Sequence, residues 1–220
     1  LITQKIFLSK GYVDKIKTRS SHNSTATRSG GTAIFLTLFL FTLYYYLKSY
    51  EIFDFSLFIP LGLIFLIGLY DDIYKADFKL KFIFQIIVAK ILIDQGILIE
   101  TLNGFIGIYE IPYLFSQALS IFIFLLIVNA SNFTDGIDGL AITEVFKSIV
   151  LIILFSNYNY SLGYNYVLYL TGIAIIPILI FNYKKEKKVF LGDSGSLLLG
   201  AILYAGLLNL NNNINLSIFS

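Results

Sequence analysis

The sequence predicts an all-α, polytopic transmembrane helix bundle with about seven spans in this chain. Composition is the first reason. Hydrophobic residues make up 57% of the 220 residues and charged residues only 14%, against about 45–50% and about 25% in soluble domains. The second is that the apolar residues gather into long runs, near the ~20 residues a spanning helix needs. The third is what lies between the runs: short polar segments, with no internal repeat and no long linker. Residues 1–220 therefore read as a single integral membrane domain. Cysteine is absent, which removes any disulfide framework or thiolate metal site. The net charge of +2 is unremarkable, and no nucleic-acid partner is expected.

Leu1–Gly31 reads as a basic, loop-like segment carrying Lys5, Lys10, Lys15, Lys17, Arg19 and Arg28. The apolar runs follow at Thr32–Leu47, Phe55–Tyr70, Phe82–Ile99, Tyr113–Ala130, Leu140–Phe155, Tyr166–Phe181 and Ser194–Leu210. The third run holds Lys90 and Asp94, four apart and so on one helix face. They read as a pair in the bundle interior or near a helix end. The chain starts without methionine and shows no signal peptide, so its true N-terminus is expected to lie upstream.

Loop charge sets the expected orientation. Lysine and arginine concentrate in Leu1–Gly31, Asp71–Lys81 and Lys184–Lys188, with Lys147 close behind Ser131–Gly139. The alternate loops carry almost none. Positive residues mark cytoplasmic loops, so these four segments are placed on the cytoplasmic side. Every concentrated polar cluster falls there as well: "RSSHNSTATRSGG", "LYDDIYKADFKLK", "NASNFTDGIDG" and "FLGDSGS". Four clusters on one face imply one site built from distant loops.

The residue types point to phosphate chemistry. Adjacent Asp71 and Asp72 repel unless a cation intervenes; alone, such a pair is more often a solvated helix end. Asp193 lies between Gly192 and Gly195 at the start of a run, where it reads either as a helix N-cap or as a ligand near a phosphate-attracting helix terminus. Asn129, Asn132, Asp135 and Asp138 offer hard oxygen atoms of the kind that suit Mg²⁺, which binds through one or two carboxylates plus substrate phosphates. "DGIDG" lacks the spacing and closing glutamate of a calcium loop. Mg²⁺, lysines and glycine-flanked helix starts together indicate a diphosphate substrate. His22, alone, reads as a surface residue.

In this order the four clusters resemble those of the polyprenyl-phosphate N-acetylhexosamine-1-phosphate transferases. "GLYDDIYKADFKLKFIFQ" is similar to the family's Asp-Asp loop, followed by a basic residue (Lys79 or Lys81) and Gln85. "NASNFTDGIDGL" matches its Asn-x-x-Asn-x-x-Asp-Gly-x-Asp-Gly-Leu signature at every fixed position, and "VFLGDSGSLLLG" its Phe-x-Gly-Asp-x-Gly-Ser segment. "RSSHNSTATRSGG" resembles the first loop of the branch acting on simple N-acetylhexosamines rather than the muramoyl-pentapeptide branch. Ile16, Thr25 and Thr27 stand where that loop usually has prolines, and "KKEKK" replaces Pro-Ala before the Gly-Asp motif. The family has ten or eleven spans and a histidine-containing loop near its C-terminus. The chain is therefore expected to be a fragment of that larger fold, lacking its first span and its C-terminal spans.

The resemblance implies a glycosyl-1-phosphate transferase of the bacterial inner (plasma) membrane, multi-pass, with its active face cytoplasmic. It would move an N-acetylhexosamine 1-phosphate from a UDP-N-acetylhexosamine to undecaprenyl phosphate, a membrane lipid, and release UMP. That step initiates a cell-envelope glycan such as O-antigen or teichoic acid. By the same resemblance Asp193 and Asn132 would hold Mg²⁺, with Mn²⁺ as a substitute. Asp71 would prepare the lipid phosphate as base or nucleophile, with Asp72 beside it. Asp135, Gly136 and Asp138 would shape the uridine pocket. Lys79, Lys81 and Arg28 would clamp phosphates, and His22 would orient substrate. A homodimer stays open. The competing expectations are an inactive fragment with a structural role, and an ion-coupled transporter, which predicts inverted repeats and mid-membrane polar groups.

Overall fold

The computed structural model describes residues 2–14, 26–48, 55–105, 107–156, 162–184 and 188–213. Each of the seven apolar runs forms a helix. In chain order these are α2 (Gly30–Leu47), α3 (Phe58–Tyr74), α4 (Phe78–Asp94), α5 (Tyr113–Thr134), α6 (Leu140–Phe155), α7 (Leu162–Tyr183) and α8 (Gly192–Asn213). Four of them, α2, α5, α7 and α8, are long and apolar enough to cross a membrane. Large side chains such as Leu40, Leu66, Phe122, Leu126, Leu154 and Ile173 are exposed on the outside of the bundle. In water that surface would be unfavourable; against lipid tails it is not.

Two parts of the expected loops carry structure. A short helix α1 (Ile2–Ser9) opens the basic segment, and β1 (Val13–Asp14) pairs antiparallel with β2 (Ala26–Thr27). Between α4 and α5, β3 (Thr101–Phe105) and β4 (Ile108–Glu110) form an antiparallel hairpin. Lys90 and Asp94 bond at 2.5 Å with both side chains exposed, which settles their two expected positions in favour of the helix end.

Helix α8 is the axis. It packs against α2, α3, α5, α6 and α7. Leu197, Leu198, Leu199, Ala201 and Tyr204 along it are fully or almost fully buried. Just past the middle of α8, Tyr204 donates to the Ile97 carbonyl at 3.3 Å. Ser120 Oγ accepts the Ile99 N–H at 2.9 Å and Ser116 Oγ donates to the Ile99 carbonyl. The backbone leaving α4 is thus satisfied where it is buried. Between α4 and α5 the amides of Gln85 and Asn129 pair, with Asn129 Nδ2 donating to Gln85 Oε1 at 2.9 Å.

The approach of α2 to α8 depends on glycine. A Cβ on Gly31 would lie 2.2 Å from the Gly195 nitrogen, a backbone atom that has no freedom to yield. Gly62 on α3 makes the contrast, since a Cβ there would meet only a Phe35 ring carbon at 3.9 Å. Overpacking typically costs about 1–3 kcal/mol. Gly31→Ala is expected to lower the melting temperature of the detergent-solubilised protein by several degrees, and Gly62→Ala to leave it within error.

Candidate functional site

Four segments distant in sequence meet at the N-terminal end of α8. The strand-like segment before α2 lies beside the segment before α8. Phe190 N–H donates to the Thr27 carbonyl at 2.9 Å and Thr27 N–H to the Lys188 carbonyl at 3.2 Å. Gly30 N–H and Gly31 N–H donate to the carbonyls of Phe190 and Leu191 at 3.0 and 2.9 Å. These bonds satisfy the first N–H groups of α2, which have no partner within their own helix.

The first N–H groups of α8 are satisfied differently. Asp72, near the C-terminal end of α3, accepts from Asp193 N–H at 2.9 Å through Oδ1 and from Ser194 N–H at 3.0 Å through Oδ2. Its side chain is 0% exposed, and the Arg28 guanidinium lies 3.6 Å from Oδ1. A carboxylate at a helix N-terminus is favoured by both the hydrogen bonds and the helix dipole. Gly192, at φ +72°, turns the chain into α8; a Cβ there would lie 2.5 Å from Asp72 Oδ2. The cap of α8 therefore comes from another helix, and Asp193 has its side chain released from that duty.

Asp71 faces elsewhere. Its Oδ1 accepts the Ala76 N–H at 2.7 Å, closing the turn after α3 in which Lys75 adopts φ +59°. Its Oδ2 lies 3.2 Å from Lys81 Nζ, and the same nitrogen lies 2.9 Å from Asp193 Oδ2. The side chains of Asp71 and Asp193 are 14% and 20% exposed, so solvent and ligands reach both. Lys81 thus joins the α3–α4 turn to the start of α8. Lys79, its alternative, is exposed.

From α5, Asn132 Nδ2 donates to Ser196 Oγ at 2.9 Å, three residues along α8 from Asp193. Asp135 closes α5 just beyond its last turn. Burial, then the carboxylates of Asp72 and Asp193, hold Asp135 well above the ordinary carboxylate range; Arg28 and the Gly192 N–H work the other way. Asp138 bonds Lys188 through Oδ2. Gly136 is exposed, and a Cβ there would meet only the Phe133 carbonyl oxygen at 3.7 Å. His22 lies outside the described residues. The site therefore brings together Asp71, Asp72, Asp135, Asp193, Asn132, Lys81 and Arg28, with Asp138 at its edge. Ser196, readable in the sequence as a possible cap of α8, instead accepts from Asn132, and Lys188 is a partner the sequence does not single out. Lys188 sits in a lysine run that reads as a solvated loop.

Four carboxylates here face two close cations, Lys81 and Arg28. Among the described residues no three His, Cys, Asp or Glu side chains converge as an all-protein metal cage. The donor set fits a hard divalent cation that takes one or two carboxylates and completes its shell with water and substrate phosphate, the habit of Mg²⁺. Asn132 fits the same role, since its bonded Nδ2 leaves Oδ1 as an acceptor.

Known proteins resemble this chain along most of its length. The family model "Glycosyl transferase family 4" matches residues 54–211. A probable undecaprenyl-phosphate N-acetylglucosaminyl 1-phosphate transferase of Bacillus subtilis is 27% identical over 98% of this chain and 60% of its own length. The undecaprenyl-phosphate alpha-N-acetylglucosaminyl 1-phosphate transferase of Thermotoga maritima is 33% identical over 87% of this chain and 55% of its own. A phospho-N-acetylmuramoyl-pentapeptide-transferase of Buchnera aphidicola is 36% identical over 86% and 61%. The chain thus spans little more than half the length of the curated relatives it matches.

The raised position of Asp135 has a consequence for stability. A carboxyl whose folded pKa is raised holds its proton more tightly in the fold than in the unfolded chain, so its ionisation opposes folding as pH rises through that interval. Asp135→Asn keeps an oxygen for the Gly192 N–H and removes the charge. Its melting temperature is expected to equal that of the parent protein at pH 4 and to exceed it by a few degrees at pH 8. A variant less stable at pH 8 than at pH 4, relative to the parent, would contradict the account.

Proposed function

The chain belongs to glycosyl transferase family 4, together with its polyprenyl-phosphate hexosamine-1-phosphate transferase relatives, and from that membership we propose that it serves the transfer of an N-acetylhexosamine 1-phosphate from a UDP-sugar to undecaprenyl phosphate. UMP leaves, and the lipid-linked sugar starts an envelope glycan. The site faces the cytoplasm at the headgroup level of the bacterial plasma membrane, where a lipid phosphate lies. The observation that carries the reading is Lys81 set between Asp71 and Asp193 at 3.2 and 2.9 Å. One cation bridging two accessible carboxylates, with Asn132 alongside, is a place where anionic esters meet charge of both signs.

An oxygen of the lipid phosphate attacks the phosphorus that bears the sugar, and the bond from that phosphorus to the UMP oxygen breaks. Both reactants are anions, so charge neutralisation dominates the barrier. Asp71 orients and deprotonates the lipid phosphate through Oδ2, while Oδ1 stays fixed on the Ala76 N–H. Lys81 turns from the two carboxylates toward phosphate oxygens, and Arg28, partly exposed, does the same from the α2 side. Asp193 and Asn132 Oδ1 would hold Mg²⁺ or Mn²⁺, which supplies positive charge to the diphosphate when bound. Asp72 positions Asp193 through the α8 backbone. Asp135 and Asp138 line the uridine end.

Membranes expressing the full open reading frame are incubated with labelled UDP-N-acetylglucosamine, Mg²⁺ and undecaprenyl phosphate, and UMP and labelled lipid are followed. Product dependent on all three components is the expected result. Asp193→Asn is expected to reduce transfer by about 10²-fold or more, the scale of losing one charge-stabilising group, with unchanged membrane insertion. Wild-type turnover by that variant would remove Asp193 from the site; cation flux without UMP release would favour a transporter.

A further inference from the structure

Lys188 is unlike the other cations of the cluster. Its side chain is only 8% exposed, although lysine is almost never buried unless paired. Its Nζ donates to Asp138 Oδ2 and lies 5.2 Å from the centre of the Phe190 ring. Its carbonyl accepts the Thr27 N–H, and the next carbonyl, that of Val189, accepts Asn182 Nδ2 at 2.9 Å. The lysine is therefore held at its backbone by α7 and by the segment leading into α2. It has little freedom to follow a moving carboxylate.

The second oxygen of Asp138 is the counterpart. Asp138 Oδ1 is buried and has no hydrogen-bond partner among the described residues. A buried acceptor without a donor is costly, and the cost is recovered when a ligand supplies an N–H or O–H. Resting on the reading in which Asp138 grips the uridine end of the donor, we infer that Lys188 is a positioning residue for nucleotide recognition. It pins Oδ2, so that Oδ1 is presented as one fixed acceptor for an imide N–H of the base. With the nitrogen gone, Asp138 is free to rotate and Oδ1 is no longer pre-placed. The penalty falls on capture of the nucleotide sugar, not on the lipid or on the chemical step.

The test uses Lys188→Met, Lys188→Arg, Asp138→Asn and the Lys188→Met/Asp138→Asn pair, expressed from the full open reading frame. Loss of an orienting partner typically costs about 10–100-fold. Lys188→Met is expected to raise KM for the UDP-sugar by that factor, with kcat and the KM for undecaprenyl phosphate little changed. Lys188→Arg, which keeps the charge, restores most of the loss. The double variant is no worse than Asp138→Asn alone, because both changes remove one arrangement. If Lys188→Met does not fold, the Arg variant and the affinity of Lys188→Gln for UMP by calorimetry carry the same comparison. Impaired donor KM in Asp138→Asn with normal KM in Lys188→Met overturns the inference while sparing the reading of Asp138. Normal donor KM in Asp138→Asn overturns that reading and the inference with it. A fall in kcat alone in Lys188→Met also overturns it, since that marks a general structural role.

Discussion

Burying a helix along the axis of a bundle leaves its first N–H groups without partners, in the place where water is least able to supply them. In α8 that difficulty is met by Asp72, whose two oxygens take the Asp193 and Ser194 N–H groups. Hydrogen bonds to charged groups contribute about 1.5–3 kcal/mol each, and an unpaired buried carboxylate would cost more than they return. The pairing therefore works only as a unit: the buried charge needs the helix terminus, and the helix terminus needs the charge. It also fixes the register of α3 against α8, which places Asp193 within reach of Lys81. The site's geometry follows from the way the fold satisfies its own axis.

The same fixed register gathers more negative charge than the local cations balance. Asp71, Asp193 and Asp135 stand near Asp72, with Lys81 and Arg28 as the close positive partners. A soluble domain could disperse such a cluster into solvent. Here the helix ends hold it at the edge of a low-dielectric bundle, where repulsion is stronger. Part of the tension falls on Asp135, whose hold on its proton is strengthened, and part is relieved by sharing Lys81 between two carboxylates. Both are reversible arrangements. A site proposed to take two anions and a metal must be able to exchange its internal pairings for external ones, and these are pairings of the kind that exchange.

Much of this was legible in the sequence, and the reasons for the rest are physical. The helices were readable because long apolar runs leave little choice; Leu140–Phe155 agrees at both ends. Helix α4 starts at Phe78 rather than Phe82 because the lysines of "DFKLKF" fall within its first turn without breaking it. The choice between Lys79 and Lys81 was out of reach. Two residues on a helix point to nearly opposite faces, and only the docking of α4 decides which face meets Asp71. Lys81 is also four residues before Gln85, which pairs with Asn129, so both project from the face toward α5. The Asp138–Lys188 pair was illegible for a different reason. Runs of lysine are nearly always solvated, and nothing local marks the one member that the chain folds inward.

Asp71 and Asp72 show how far adjacency misleads. On a helix, neighbouring residues diverge by about 100° because 3.6 residues complete a turn. From the end of α3 that angle sends Asp72 into the start of α8 and Asp71 out over the α3–α4 turn. One becomes fully buried with both oxygens engaged; the other keeps an accessible oxygen against a mobile type of side chain, a lysine. Two chemically identical groups thus acquire different surroundings, one holding the frame and one left within reach of solvent. Exchanging the surroundings would require rotating α3 by more than a quarter turn, which would pull Phe58, Leu61, Ile64 and Phe65 out of the core. The division within the Asp-Asp pair is consequently enforced by the apolar face of the helix that carries it.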